Sequence, residues 1–293
     1  MSASQTAAPP GPLDRKPFDD EIDVYGLTHA GKVRPENQDH FLICALRKQM
    51  VVHQTSLPAT ERLMPGPERL AFLAMVADGV GGGARGEEAS RLALEGVTQY
   101  VCGTMRSYYA AGSADDQEFF EALQEGALQC HEALRRRGEE NPEYSGMATT
   151  LTLFLGVWPR AYLLQLGDSR CYIYREGALR QLTRDQTMAQ ELMDLGVLTR
   201  AEAPPARLAR TLSSSLGGRQ TAPVVTRLDM TWGTVLLLCS DGLTNHVSDD
   251  RIRERLRAMP SARQVCEELL GDALEDGGSD NITIIVGRAL PRQ

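Results

Sequence analysis

Nowhere in the 293 residues does an apolar run approach the roughly 20 residues that span a bilayer. The strongest, Leu70 to Ala77, is only strand-sized. Positive charge is not in excess either: 31 Lys and Arg stand against 39 Asp and Glu, a net −8 with His neutral. A nucleic-acid clamp or a basic membrane-surface protein needs clustered Lys and Arg, so neither nucleic acid nor a membrane is an expected partner. Paired cysteines are missing as well. Cys44, Cys102, Cys130, Cys171, Cys239 and Cys266 are scattered, none forms a CxxC, and most lie in apolar runs. They read as small hydrophobes of a reducing, cytoplasmic protein rather than as a disulfide scaffold. The opening residues, MSASQTAAPPGP, lack the basic-then-apolar pattern of a secretory leader, which agrees with that setting.

What is present, 42% hydrophobic and 24% charged residues, suits a soluble chain that can bury roughly 75% of its unfolded surface without staples. Residues 1–20, rich in Ala, Pro, Ser and Asp, read as a disordered N-terminal tail. From 21 to 293 there is no linker-like stretch and no fixed-period repeat, so a single domain is expected.

Strand-like runs come first, at Ile22–His29, Phe41–Leu46, Met50–Gln54 and Leu70–Ala77. Two long stretches with i, i+3, i+4 apolar spacing follow, Gly86–Met105 and Asp115–Arg137. Four short strands come next, Thr149–Val157, Ala161–Leu166, Cys171–Arg175 and Leu179–Leu182, with Glu176-Gly177 as a hairpin turn. Residues 185–218 read as short helices plus loop, with a capping-box pattern at Thr199 and Glu202. Strands Val224–Met230 and Val235–Cys239 precede two helices, opened by Ser248 and by the Ser261…Gln264 box, and Ile282–Gly287 closes the chain. Strands in runs and helices in runs indicate an α+β fold with two antiparallel sheets, each needing helices over one face.

The informative feature is where the acids fall. Asp78 ends LAFLAMVA and precedes a run of glycines; Asp241 ends VLLLCS and precedes Gly242; Asp280-Asn281 and Asp39 immediately precede strands. One carboxylate at the mouth of a buried strand is an ordinary turn former. Four together repel one another unless a cation sits among them. All are hard oxygen donors, and no His or Cys stands at ligand spacing, so Mg²⁺ or Mn²⁺ is favoured over Zn²⁺.

Six blocks carry a resemblance: Val33-Arg34-Pro35-Glu36-Asn37-Gln38-Asp39, Ala77-Asp78-Gly79-Val80-Gly81-Gly82, Gly146-Met147-Ala148-Thr149-Thr150, Gly167-Asp168-Ser169-Arg170, Ser240-Asp241-Gly242-Leu243 and Ser279-Asp280-Asn281-Ile282-Thr283. In this order they resemble the metal-dependent (PPM, type 2C-like) Ser/Thr protein phosphatases, most closely the bacterial branch. The resemblance implies a four-layer α-β-β-α sandwich and hydrolysis of phosphoserine and phosphothreonine by a hydroxide bridging two Mn²⁺ or Mg²⁺ ions. It implies that Asp78 bridges the ions, that the Gly79 carbonyl binds one, and that Asp241 and Asp280 complete the other's shell. Asp39 orients metal waters with Gln38 beside it, Arg34 grips the substrate phosphate, and Asn281 supports its neighbour.

The sequence also departs from the family pattern. Val80 stands where some members carry a candidate general-acid His, and Glu143 replaces an Asp that in bacterial relatives pairs with the Ser-Asp-Gly Asp on a third metal. Gln38 replaces a Glu found in eukaryotic members, and Leu46–Arg69 reads as an insertion near the rim. Residues Thr187 to about Gly218, with Arg207, Arg210, Ser213-Ser214-Ser215 and Gly217-Gly218, correspond to a flap beside the site that tunes substrate choice. Phosphorylated Ser/Thr proteins, including a cognate kinase, are the implied partners of a monomeric enzyme. The alternative from the same resemblance is a catalytically dead scaffold that binds phosphoproteins.

Three competing motifs are weaker. Gly79-Val80-Gly81-Gly82-Gly83-Ala84 fits a dinucleotide pattern, but Asp78 and Glu87-Glu88 put anions where pyrophosphate would sit. Cys130 and Arg136 match the thiol-phosphatase spacing, yet the residues between them lack Gly and read as helix. Gly167-Asp168-Ser169 lacks the closing Gly of a nucleophile elbow and reads as a strand turn.

Overall fold

The computed structural model describes residues 15–48, 54, 68–104, 116–199 and 205–292. The strand expected over Met50–Gln54, the Thr199…Glu202 box and most of the Leu46–Arg69 stretch lie outside them. Among the described residues the first strands are β1 (Ile22–His29), β2 (His40–Lys48), β3 (Glu68–Ala77) and β4 (Gly79–Val80). Helices α1 (Ala84–Thr104) and α2 (Asp116–Glu140) follow, then β5 (Ala148–Thr149), β6 (Leu151–Val157), β7 (Arg160–Leu166), β8 (Arg170–Arg175) and β9 (Ala178–Gln181). Short helices α3 (Met188–Asp194) and α4 (Ala206–Ala209) precede β10 (Val224–Asp229) and β11 (Val235–Cys239). The chain ends with α5 (Asp241–Thr244), α6 (Asp249–Arg257), α7 (Ala262–Glu275) and β12 (Ile282–Ala289).

One sheet has the order β1-β12-β11-β8-β9 and the other β10-β7-β6-β3-β2, with β4 and β5 forming a separate pair. Every pairing between neighbours is antiparallel. Both sheets are covered on both faces, which explains why their strands read as continuous apolar runs rather than as strict alternation. In β3, Leu73, Met75 and Ala77 face α1 and α2, while Ala74 and Val76 face the other sheet. In β11, Leu237 and Cys239 join the core under α6 and α7, while Leu236 and Leu238 point between the sheets. Three apolar layers therefore separate four structural layers, and the α-β-β-α sandwich is the fold.

The local chemistry follows the sequence closely. Ser248 and Ser261 cap α6 and α7 by accepting from the amides of Arg251 and Gln264. Glu176 and Gly177 both take positive φ, as a two-residue hairpin turn requires. One expected strand is interrupted: Thr149–Val157 breaks at Thr150, whose backbone amide and hydroxyl are committed to Asp78. Residues 15–20, assigned to a tail, are instead tied down. Arg15 makes a two-pronged pair with the buried Glu21, and Asp19 pairs with Arg69 and Arg47. All six cysteines are free, and Cys130 lies inside α2 with burial pushing its thiol up to about 12, so the Cys-to-Arg136 spacing carries no thiol chemistry.

Candidate active site

The five strand-end acids meet at one end of the sandwich. Asp78 follows β3, Asp241 follows β11 after Ser240, Asp280 precedes β12, Asp39 precedes β2, and Asp168 sits on the turn from β7 to β8. Asp78, Asp168, Asp241 and Asp280 line a single cleft of about 930 Å³, together with Arg34, Gln38, Gly79 and Asn281. Asp39 lies behind that wall, 3% exposed.

The Asp78 main chain is clamped by the Thr149-Thr150 segment. The Asp78 carbonyl accepts from the Thr150 amide at 2.9 Å and the Thr149 hydroxyl at 2.8 Å, and the Asp78 amide donates to the Thr150 hydroxyl at 3.0 Å. The Gly-Met-Ala-Thr-Thr block is thus a clamp on the Asp78 main chain. The glycines after Asp78 and Asp241 serve close approach: a Cβ at Gly79 would lie 2.2 Å from the Gly86 carbonyl oxygen, and one at Gly242 would lie 2.0 Å from that of Asn281. Asn281 ties the start of β12 to the arginine loop. Its side chain accepts from the Gln38 amide at 2.9 Å and donates to the carbonyls of Ala30 and Glu36.

The electrostatics are those of a crowded acid cluster. Desolvation, reinforced by the charges of Asp39, Asp241, Asp168 and Asp280, raises Asp78 well above the usual carboxylate range. Asp241 is raised by burial and then by the charge of Asp280, against a hydrogen bond from the Asn245 side chain. Burial raises Asp39 to about 7, against hydrogen bonds from Ser240 and Thr283 to its Oδ2 at 2.7 Å each. Its Oδ1 is buried with no hydrogen-bond partner. An orphaned carboxylate oxygen beside four more acids is a donor set waiting for a hard cation rather than a structural ion pair. Among the described residues no three such groups stand ready-made as a chelate. Several oxygens are instead turned into hydrogen bonds, Asp241 to Asn245 and Asp280 to Arg34 among them.

Of the expected residues, Arg34 is at the cleft and Glu143 is not. Arg34 lines the cleft but its Nη2 pairs with Asp280 Oδ2 at 2.7 Å. Glu143 is exposed on the turn Pro142–Tyr144 after α2 and does not line the cleft. The acid beside Asp241 is Asp168, raised to about 8 by burial and then by the charge of Asp241. It follows Gly167, whose φ of +95° and tight contact with Thr150 leave no space for a side chain. Sequence reasoning treated that block as a turn. The usable signal was one more Asp beside a Gly at a strand end. From the flap, Arg210 lines the cleft together with Thr211, Leu212 and Ser215, whereas Arg207 is exposed and does not. No histidine is among the residues lining the cleft, and Val80, at its rim, is 39% exposed.

Comparison with known proteins decides the lineage. A family model described as Protein phosphatase 2C matches residues 66–276. The chain belongs to the protein phosphatase 2C family. It is 35% identical over 220 residues to the serine/threonine protein phosphatase PstP of Mycobacterium tuberculosis, covering 74% of this chain and 40% of that protein. The match thus spans less than half of that relative's length. It is 28% identical over 215 residues to the serine/threonine phosphatase stp of Listeria monocytogenes, covering 73% of this chain and 83% of that one. A crystal structure of the PstP catalytic domain in complex with two manganese ions superposes with a TM-score of 0.68 at 30% identity, over 92% of this chain and 98% of that one.

Proposed function

We propose that this chain is a metal-dependent protein serine/threonine phosphatase, with residues 21–293 as its phosphatase domain. The observation that carries the reading is the convergence of Asp78, Asp168, Asp241 and Asp280 on one cleft with the buried, unpartnered Oδ1 of Asp39 behind it. Family membership and the manganese-bound relative agree with it.

The donor chemistry fits Mn²⁺ or Mg²⁺. Asp78, the Gly79 carbonyl, Asp241 and Asp280 would hold two ions, Asp39 would act through water, and Asp168 beside Asp241 is better placed than Glu143 for a third. Bound ions of this kind acidify water and offset the negative charge that builds on phosphoryl oxygens. The protein's own contribution is positional. The Thr149-Thr150 clamp fixes Asp78, Asn281 fixes the loop that carries Arg34, and Ser240 and Thr283 fix one oxygen of Asp39, leaving the other to accept. Arg34, half-exposed at the edge, can exchange Asp280 for a substrate phosphate, which its planar guanidinium grips with two parallel hydrogen bonds. Attack by water needs no covalent phosphoenzyme. No helix of the described residues is long and apolar enough to cross a membrane, and we place the enzyme in the cytoplasm, acting on phosphorylated Ser/Thr proteins that include a cognate kinase.

The test is hydrolysis of a phosphothreonine peptide and of an aryl phosphate, with Mn²⁺ and with excess chelator. Turnover that needs Mn²⁺ and disappears in Asp78→Ala and Asp241→Ala supports the reading. A folded, Mn²⁺-binding protein with no turnover would make it a phosphoprotein-binding scaffold.

A further inference from the structure

His246 lies just past α5, the short helix that begins at Asp241, and its amide donates to the Leu243 carbonyl at 3.1 Å. Its ring crosses to a different part of the chain. Nδ1 is 3.0 Å from Asp276 Oδ2, and Nε2 is 2.8 Å from both the Ser279 hydroxyl and the Ser279 amide. An amide can only donate, so Nε2 is the bare acceptor and Nδ1 carries the proton that goes to Asp276. The Ser279 amide already occupies Nε2, which distinguishes this chain of Asp, His and Ser from a nucleophile triad, where the base must be free to take the hydroxyl proton.

The ring grips the glycine turn that follows α7, whose own backbone bonds, from the Gly277 amide to Leu274 and from the Gly278 amide to Ala273, stop short of Ser279 and Asp280. Gly277 and Gly278 take φ of +125° and +51°, conformations that glycine reaches easily and leaves easily. That turn delivers Asp280, one residue after Ser279. It also holds the arginine loop, because the Lys32 amide donates to the Gly278 carbonyl at 2.7 Å. A Cβ at Gly31 would stand 2.2 Å from the Asp280 carbonyl oxygen, so loop and turn are in direct contact. One imidazole, with a side chain only 10% exposed, therefore links the element bearing Asp241 to the element bearing Asp280 and, through the latter, to the loop of Arg34.

We propose that His246, oriented by Asp276, is a positioning residue that fixes the spacing of Asp241 and Asp280 for cation binding. The proposal rests on the phosphatase reading for the identity of the ions. It assigns His246 no contact with substrate or with the reacting atoms. Partners that orient metal ligands change metal affinity by about 10- to 100-fold when removed.

The experiment is Mn²⁺ binding by the full chain, measured by calorimetry and by the paramagnetic signal of free Mn²⁺. Wild type is compared with His246→Leu, His246→Gln and Asp276→Asn, all below their melting transitions. Leu matches the bulk without the hydrogen bonds; Gln restores one acceptor and one donor. The expected result is about tenfold or greater weakening in His246→Leu, recovery to within about threefold in His246→Gln, and an intermediate loss in Asp276→Asn. The Mn²⁺ concentration needed for half-maximal turnover should shift in parallel, while turnover at saturating Mn²⁺ stays near wild type. Unchanged Mn²⁺ affinity in folded His246→Leu would overturn the brace, as would an equal loss in His246→Leu and His246→Gln. Absence of Mn²⁺ binding in the wild type would instead overturn the phosphatase reading on which it stands.

Discussion

Arg34 Nη2 stands 2.7 Å from Asp280 Oδ2, so the cation assigned to substrate phosphate is held by an acid assigned to metal. The pair is partly exposed, and a cation held by Asp280 would leave Arg34 free to turn toward the cleft. Exposed pairs of this kind contribute little stability, about 0–1 kcal/mol, so little opposes the exchange.

Replacing Arg34 therefore separates binding from stability. Arg34→Ala should leave the thermal midpoint within a degree or two and lower kcat/KM for a phosphopeptide by about 10- to 100-fold, the worth of a hydrogen bond to a charged group. Arg34→Lys should recover only part of it, because a point charge cannot reproduce a two-pronged grip. Steady-state kinetics with Mn²⁺ held saturating checks both, and an unaffected kcat/KM in Arg34→Ala removes the arginine from substrate binding.

Asp168 and Glu143 make opposite predictions for the site's extent. Asp168 lines the cleft beside Asp241, and Glu143 is exposed on its turn. Asp168→Asn should lower activity and weaken Mn²⁺ binding by about tenfold or more, whereas Glu143→Gln should change neither beyond about twofold. Calorimetric titration of the two variants side by side is sufficient. Loss in Glu143→Gln with a silent Asp168→Asn would reverse the assignment.

The acid cluster sets a pH dependence of stability with an unusual sign. Asp39 and Asp168, raised to about 7 and about 8, bind more protons folded than unfolded between about pH 4 and pH 8. Their contribution is full below the unfolded value and is lost as pH rises through the folded one. Acids shifted the other way act lower: Asp272, held at about 2 mainly by its hydrogen bond with Arg255, loses its contribution only below about pH 4. In excess chelator the melting temperature should therefore fall from about pH 5 to about pH 8, and the increment from added Mn²⁺ should grow over the same range. A chelated protein that gains stability toward pH 8 contradicts the electrostatic account.

Gly242 is required by contact rather than by backbone angle. Its Cβ would lie 2.0 Å from the Asn281 carbonyl oxygen, a backbone atom that cannot step aside alone. Gly242→Ala should cost about 1–3 kcal/mol in urea denaturation and weaken Mn²⁺ binding, since the displaced strand start carries Asp280. A neutral substitution would show that the two elements separate easily.

The element order was legible because it depends on local pattern. The apolar runs of β3, β6, β11 and β12 and the caps at Ser248 and Ser261 can be read within a few residues of themselves. Asp168 was missed because its importance is entirely spatial: nothing near Gly167 tells that β8 pairs with β11, which sets Arg170 opposite Cys239 and brings Asp168 to Asp241. The break at Thr150 was hidden for the same reason, since its partner Asp78 is 72 residues away. Arg15–Asp20 read as a tail because Pro, Asp and charge dominate there, whereas the buried Glu21 draws Arg15 back and Asp19 finds Arg69. The pairing of Arg34 with Asp280 was equally illegible, since the two stand 246 residues apart.

Titration of chelator-stripped protein with Mn²⁺ goes most directly to the central claim that the converging aspartates form a cation site. The account predicts at least two Mn²⁺ per chain for wild type, with binding abolished or reduced by about 100-fold in Asp78→Asn. Wild-type protein that takes up no Mn²⁺, or an Asp78→Asn variant that binds as tightly as wild type, contradicts it.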